Sequence, residues 1–551
     1  MHAPVMPSAA GSGAGPATAA AGTAPLRLDD LLTAARGRPG PVFFTEEGAG
    51  IDASGFEALV AGAVGFLRAQ GVGPGDRIAL WHVNRLDWLA ILFACARIGA
   101  AVAVVNTRYR TAELGHILRA SGAGLLILAP GFGKIDFLDI LAGLDGADLP
   151  ELSRIALLDA DTVSGAVPDR LIGRPVQAAR IGVMAPSGAD GTSDAGAPLV
   201  FFTTSGTTSA PKLVTHCQQS LAFHARACVA AFGFDAPGAG FAATMPYCGV
   251  YGLNAQLAAL AGGAPSHILP MFEAERTAAL IRDNGVTHLF GSDEMFRRLM
   301  EIDPGLLDAM VCCGFASFTP GLGPLMEAAA ARGVPLRGVY GSSEVCALFA
   351  VQDAGLAAEE RVKGGGRPAA GQSVVRVRDP ESGALLPHGA PGALEFRSPS
   401  QFTGYFRNPG ATREAVDGDG FFRSGDMGYT RGDGSFVYLA RMGDAIRLSG
   451  FLTDPAEIEE VLKTAPGVGD AQVVAVVQGG QNRPVAFVIP ADGFDAETVL
   501  SHARGRLAAF KVPFRVWPVE SFPTTDSANG LKVQRARLRD MAEARLKEEA
   551  P

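Results

Sequence analysis

From residue 26 to about 196 the chain alternates helix-sized and strand-sized apolar segments, and the alternation returns from 241 to 348. Residues 54–70 read as a helix, and 77–81 as a strand behind the turn Pro74-Gly75-Asp76. Residues 87–98 read as an apolar helix and 101–105 as a β-rich strand; 113–121 and 124–128 repeat the pair, and 241–245 reads as a further strand. Strands linked through helices run parallel, and the helices cover both faces of the sheet. The expected class is therefore α/β, a large N-terminal domain of sheets covered by helices. A chain of 551 residues exceeds a single core, so a second domain is expected. Beyond about 444 the pattern is smaller in scale: a helix at 458–464, strands near 471–477 and 484–489, and a helix at 496–509. That is an α+β tail. Residues 161–197, rich in Gly, Ala, Asp, Ser and Pro, read as a long surface excursion.

Charge and cysteine usage narrow the function classes. The net charge is −9 with both signs spread along the chain, which argues against a nucleic-acid protein driven by a basic surface. Seven cysteines form no CxxC pair, and nine histidines show no HExxH spacing. A reducing, cytoplasmic setting follows, with no metal held by protein ligands alone. Residues 1–25 are Ala, Gly, Pro, Ser and Thr with almost no charge; a disordered tail is expected, not a secretory signal. No apolar run reaches the roughly 18–20 residues that span a bilayer. The stretch 88–105 is broken by Arg97 and reads as a buried helix and a strand.

Three segments carry chemistry. The first is Thr203-Thr204-Ser205-Gly206-Thr207-Thr208-Ser209-Ala210-Pro211-Lys212, between the apolar run 198–202 and Leu213-Val214. Gly206 lets backbone N–H groups converge on an anion, hydroxyls add donors, and Lys212 adds a mobile charge. Pro211 and Leu213 flank the lysine, so this is not a Walker A loop. Taken as a fragment, it also fits a Ser/Thr-rich surface turn. The second is Gly338-Val339-Tyr340-Gly341-Ser342-Ser343-Glu344. An aromatic face beside a tight turn can stack on a base, and a carboxylate near phosphates can hold Mg²⁺. Alone, it also fits a helix N-cap with Glu344 in the first turn. The third is Gly404-Tyr405-Phe406-Arg407-Asn408-Pro409 followed by Arg423-Ser424-Gly425-Asp426-Met427-Gly428. An aspartate in a glycine turn can accept both hydroxyls of a ribose, or can form an Asx turn.

In order, these segments resemble the acyl-adenylate-forming (AMP-binding) superfamily of the acyl-CoA synthetase, or fatty-acid–CoA ligase, type. Asn106-Thr107-Arg108-Tyr109-Arg110 resembles a segment of bacterial fatty-acyl-CoA synthetases. The resemblance implies ATP, Mg²⁺ and coenzyme A as co-reactants of a carboxylic acid, with no nucleic-acid partner; a homodimer stays open. It implies ATP contacts at Thr203, Thr204, Ser205, Gly206, Thr207, Thr208 and Lys212. Further ATP contacts fall at Ala316, Ser317, Tyr340, Gly341, Ser342, Ser343, Asp426 and Arg441. Glu344 takes the Mg²⁺ role. The acyl pocket maps to Tyr247, Gly249, Ser292 and Cys346. The family's domain junction matches Arg441-Met442-Gly443-Asp444, with Gly443 as hinge, and Arg447 and Gly450 face the site when the thioester forms. The chain then divides as tail 1–25, adenylation domain 26–442 and mobile lid 443–551. Lys532, with Arg535 and Leu538 at family spacing, aligns with the catalytic lysine. With Glu344 and Arg447 it makes up the implied catalytic set.

The chain departs from the family at Ser209 (usually glycine), Ser343 (usually threonine), Gly249 (usually histidine), Gly443 (usually Asp or Lys) and Leu531, which separates glycine from lysine. The expectation is an acid–thiol ligase for a hydrophobic or fatty acid. Open beside it are an aryl-acid CoA ligase, an enzyme loading a carrier protein, and a non-catalytic nucleotide-binding relative.

Overall fold

The computed structural model describes residues 26–46, 48–162, 167–183, 193–203, 211–316, 322–442, 446–448, 451–453, 455–478, 481–507, 509–527 and 530–549. A large N-terminal domain and a smaller C-terminal domain make up the fold, as expected from the sequence.

The alternating segments became elements where they were expected. The helix Ala53–Ala69, strand Arg77–Trp81, helix Leu86–Ile98, strand Ala101–Val104, helix Thr111–Ser121 and strand Leu125–Leu128 follow in turn. Two of these helices end on a glycine. Leu86–Ile98 stops at Gly99 and Thr111–Ser121 at Gly122, both with positive φ, where a side chain would be strained. The helix Leu86–Ile98 is buried on nearly all sides, with Arg97 at its end paired to Asp29. That explains an apolar run too short to cross a membrane. Among the described residues no helix is long and apolar enough to do so.

Among the described residues two large sheets and one small hairpin, Gly131–Phe132 with Ile135–Asp136, form the large domain. The nine-stranded sheet runs Gly404–Tyr405, Leu213–Cys217, Pro198–Thr203, Ala101–Val104, Arg77–Trp81, Leu125–Leu128, Arg154–Leu157, Arg174–Ala178, Arg170–Leu171. Its centre is parallel, and its Val/Ile/Leu/Ala strands are buried on both faces. Alternate side chains of Pro198–Thr203 serve two cores: Val200 and Phe202 one, Phe201 the other. The thirteen-stranded sheet has a parallel part that includes Phe241–Ala243, His288–Ser292, Cys312–Ala316 and Leu336–Tyr340. It continues as an antiparallel part through Ala350–Val351, Gly364–Pro368, Phe436–Arg441, Phe422–Thr430, Gly392–Arg397 and Val374–Arg378. The antiparallel half was not expected from the sequence.

The small domain has its own apolar clusters. Helices Pro455–Lys463 and Ala496–Arg504 pack on a sheet of Val468–Gln478, Gln481–Pro490 and Val516–Pro518. The last helix, Arg535–Glu548, closes its other face with Leu538 and Ala542. The expected helix over 496–509 is shorter, ending at Arg504 with Gly505 as its cap. The expected excursion at 161–197 contributes two strands, Arg170–Leu171 and Arg174–Ala178, to the edge of the nine-stranded sheet.

Candidate active site

The strands Pro198–Thr203 and Leu213–Cys217 are an antiparallel pair, so the hydroxyl-rich segment joins their ends. Residues 204–210, with Thr204, Ser205, Gly206, Thr207 and Thr208, lie outside the described residues. The two ends are held. Thr203 Oγ1 lies 2.8 Å from the Tyr109 hydroxyl, and the Pro211 carbonyl lies 2.8 Å from His116 Nε2. Tyr109 belongs to the segment 106–110, which sequence reading gave no place in the site.

Leu213–Cys217 has a second neighbour. Val214 pairs with Tyr405 and Thr215 with Gly404, and the Phe406 N–H donates to the Leu213 carbonyl at 2.8 Å. Gly404 has φ +139, and a Cβ there would lie 2.9 Å from Thr412 Cγ2, so the strand starts on a residue only glycine fills. This pairing sets Tyr405 beside Lys212, whose Nζ stands 4.9 Å from the ring centroid. On its other side the Tyr405 hydroxyl donates to Glu344 Oε1 at 2.9 Å. Burial, and then the Glu344 carboxylate, raise the Tyr405 pKa, so the phenol keeps its proton and donates.

Glu344 sits in a turn with unusual backbone. Leu336–Tyr340 ends the parallel series, and the 3₁₀ turn Ser343–Val345 follows. Cys346 and Ala347 then both take left-handed backbone, φ 62° and 61°. A Cβ on Gly341 would lie 1.7 Å from the Ala347 carbonyl, so this doubling back requires glycine at 341. Two consecutive non-glycine residues with positive φ cost roughly 1–2 kcal/mol each. The turn is held by its surroundings: the Phe402 N–H donates to the Glu344 carbonyl at 2.8 Å, and His216 Nε2 lies 2.8 Å from the Ser343 carbonyl. A carbonyl only accepts, so Nε2 carries the proton. Burial pushes the His216 pKa down to about 4, so the ring is neutral. Cys346 is buried, its sulfur 3.5 Å from His216 Nδ1 and 3.3 Å from the Ser400 carbonyl.

At the start of the same turn, the Tyr340 hydroxyl donates to Asp426 Oδ2. Burial, with Asp426 next, holds the Tyr340 pKa well above its usual value. Arg441 pairs across the ladder with Asp426, and its Nη1 is 3.0 Å from Asp426 Oδ1. Both carboxylate oxygens are thus engaged. Asp426 follows Gly425, at φ +71, and its N–H donates to Ser424 Oγ at 3.0 Å.

Ala316 and Ser292 are paired neighbours at the carboxyl ends of their parallel strands, with Tyr340 ending the next strand. In open α/β sheets that edge is where ligands bind. Ser292 Oγ accepts from the Met295 N–H at 3.3 Å, capping the helix Asp293–Ile302. Ser342 Oγ is buried without a hydrogen-bond partner among the described residues. Tyr247 does not join this group: it is 1% exposed, its hydroxyl donates to Gln256 and its ring packs on Trp88. Gly249 is the N-cap of the helix Val250–Gly262 at an ordinary φ of −99°. A Cβ there would meet only the Pro246 carbonyl, at 3.3 Å.

The tail places Lys532 on the strand Gly530–Val533, paired with Thr524–Ser527, and Arg447 on the strand Ile446–Leu448. Their side chains, and Ser317, Gly443 and Gly450, lie outside the described residues. Arg535, three residues past Lys532, is well placed. Its guanidinium grips Glu459 at 2.5 and 3.0 Å and donates to the Val473 carbonyl at 2.8 Å.

Among the described residues no cluster of three or more acidic, His or Cys side chains could hold a metal. Glu344 offers one carboxylate. That fits Mg²⁺, which is held by one or two carboxylates and takes its other ligands from phosphate and water.

These features give a two-domain α/β chain in which Ser292, Ala316 and Tyr340 lie at the carboxyl ends of parallel strands. Residues 32–406 match the AMP-binding enzyme family and 457–529 the AMP-binding enzyme C-terminal domain. The chain belongs to that family, as an AMP-forming acid–thiol ligase. It is 30% identical over 488 residues to feruloyl-CoA synthase of an Amycolatopsis species, covering 85% of this chain and 89% of that one. It is 28% identical over 494 residues to 3-hydroxybenzoate/4-hydroxybenzoate–CoA ligase of Thauera aromatica, covering 87% and 90%. The fold is shared with ATP-bound MatB from Rhodopseudomonas palustris, with TM-score 0.78, 24% identity, and 94% and 99% of the two chains covered.

Proposed function

We propose that the enzyme converts an aromatic or similarly bulky carboxylic acid to its CoA thioester through acyl-AMP. The acid's carboxylate oxygen attacks the α-phosphorus of ATP and pyrophosphate leaves. The CoA thiolate then attacks the acyl carbonyl, the C–O bond to phosphate breaks, and AMP leaves. One observation carries the reading: a five-residue turn holds Tyr340 on Asp426 at one end and Glu344 on Tyr405 at the other. Acceptors suited to a ribose and a carboxylate suited to a metal-bound polyphosphate are thus held at the two ends of one turn.

The residue roles follow. Asp426, Arg441 and Tyr340 fix the nucleoside; Lys212 and the loop before it hold the outer phosphates. Glu344 would hold Mg²⁺, which when bound offsets phosphate charge. Lys532 would come to the α-phosphate on a small domain beginning near Gly443, then withdraw as Arg447 and Gly450 approach for the thiol step.

The sequence favoured a fatty acid. The relatives named above carry the names of feruloyl and hydroxybenzoate substrates, and this supports an aromatic acid instead. Gly249 adds to it: its backbone does not need glycine, so the missing side chain is available as room for substrate.

ATP–pyrophosphate exchange across aromatic, short, medium and long aliphatic acids tests the reading, with AMP release then measured with CoA as the sole thiol. Fastest exchange is expected with aromatic acids. Faster exchange with long aliphatic acids would restore the fatty-acid reading, and no AMP release with CoA would favour a carrier-protein thiol.

A further inference from the structure

Asp426 stands in an irregularity of its sheet. Gly392–Arg397 and Phe422–Thr430 pair antiparallel, with Ala393 facing Met427 and Glu395 facing Arg423. Between those two pairs a single residue, Leu394, stands against three, Ser424, Gly425 and Asp426. Such a bulge re-aims a side chain and takes backbone groups away from their ladder partners. We infer that the Ser424 hydroxyl holds this bulge in shape, which makes Ser424 a positioning residue for the nucleotide. The inference rests on the reading of Asp426 as a ribose ligand.

The destinations of the displaced backbone groups carry it. Ser424 Oγ donates to the Leu394 carbonyl at 2.6 Å and accepts from the Asp426 N–H at 3.0 Å. A hydroxyl has one donor and two lone pairs, so it can serve both strands of the bulge at once. Ser424 is 7% exposed and Asp426 4%, which leaves little water at hand to take its place. The other side of the bulge is fastened separately. The Ser424 carbonyl accepts from Arg441 Nη1 at 2.9 Å, and the Gly425 carbonyl from the Met442 N–H at 2.8 Å. Those contacts tie the bulge to Phe436–Arg441 and the residue after it. Ser424 Oγ ties it to Gly392–Arg397.

An alanine at 424 leaves the Leu394 carbonyl and the Asp426 N–H buried without this hydroxyl, which is costly for both groups. The backbone then shifts to find them other partners, and the carboxylate that the bulge aims moves with it. Two ribose hydroxyls can be met together only from one orientation of Asp426, so a small displacement loses the pair.

The test is calorimetric binding of ATP and of 2′,3′-dideoxy-ATP in excess Mg²⁺, because the two differ only in the ribose hydroxyls. The wild type should prefer ATP by about 30-fold. Ser424→Ala should bind ATP about tenfold more weakly and the dideoxy nucleotide as before, so that the preference falls to about threefold. Ser424→Thr keeps the hydroxyl and should restore the preference. The KM for ATP in pyrophosphate exchange should follow the same order. A residue that only supports the fold would weaken both nucleotides alike. Equal weakening by Ser424→Ala, a wild-type preference in that variant, or a preference that Ser424→Thr does not restore overturns the positioning role.

Asp426→Asn separates this inference from the reading beneath it. If that variant lowers the preference and Ser424→Ala does not, Asp426 stays the ribose ligand and Ser424 alone loses its role. If Asp426→Asn keeps the wild-type preference, or the wild type shows none, the ribose reading falls and the inference with it. Should Ser424→Ala fail to fold, Ser424→Cys takes its place, since a thiol is a weak donor and a weak acceptor. A wild-type preference in Ser424→Cys then refutes the inference.

Discussion

Each domain holds a buried carboxylate against an arginine, and the two pairs differ in what the arginine faces. In the large domain Asp426 is buried, but the Arg441 side chain is 46% exposed. In the small domain Glu459 is equally buried and the Arg535 side chain is only 17% exposed; each arginine also donates to a carbonyl, Arg441 to that of Ser424 and Arg535 to that of Val473. The first pair keeps an open side, which a ligand can complete. The second is closed on itself and ties the helix Pro455–Lys463 to the start of Arg535–Glu548, the helix that follows the strand bearing Lys532. Identical chemistry thus leaves an exposed guanidinium in one place and a closed fastening in the other.

The largest effect should come from breaking the closed pair. Arg535→Met leaves Glu459 buried and unpaired, a loss of about 3–5 kcal/mol. Calorimetry should show the small domain melting earlier while the large domain's transition stays in place; a common shift of both would deny that the fastening is local. Next, Lys532→Ala should slow acyl-AMP formation about 10²–10³-fold, the scale of removing one charge-stabilising donor. Thioester formation from preformed acyl-AMP should fall far less, and equal losses in the two half-reactions would remove Lys532 from the adenylation step.

His216 tests the large domain alone. Its folded pKa is lowered by burial to about 4, against about 6.5 unfolded. Between those values the unfolded chain binds a proton that the folded chain refuses. Stability should therefore fall as pH drops through that window, by about 3 kcal/mol in all, with no contribution above it. His216→Gln should reduce the slope in denaturant melts from pH 7 to 4.5, leaving the share of buried His224, whose pKa burial lowers to about 3. Opening the other pair should behave differently: Arg441→Gln should raise the KM for ATP about tenfold with little change in melting. A large stability loss would make it a fastening like Arg535. The smallest effect is expected at Gly249. Replacing it with His should disfavour bulky acids relative to small ones by about tenfold, and an unchanged acid profile would remove it from the pocket.

The parallel halves of the sheets were legible because period and length agree there: an apolar strand, a helix, then a glycine stop such as Gly99 or Gly122. The antiparallel half over 350–441 was not. Gly364–Pro368 and Val374–Arg378 are half-exposed, and the first carries Gly365 and Gly366, both at positive φ, which give no periodic signal. Tyr340, Glu344, Asp426 and Arg441 were named from their motifs, and the structure brings them about one turn. Tyr405 was visible inside a quoted motif but had no role, because its partners, Lys212 and Glu344, lie 193 and 61 positions away. Tyr109 and His216 were missed for the same reason: pairing between distant strands, not local spacing, sets their neighbours. Tyr247 was named from its motif alone, and its hydroxyl partner, Gln256, is set by the fold of the helix that follows.

The doubling back at Cys346 and Ala347 bears on how such an enzyme could be hardened against heat. Glycine at either position would relieve about 1 kcal/mol of backbone strain. The same exchange would slacken the segment carrying Glu344, so durability gained there would be drawn from turnover, and improvement by selection would meet that trade at these two positions before any other in the turn.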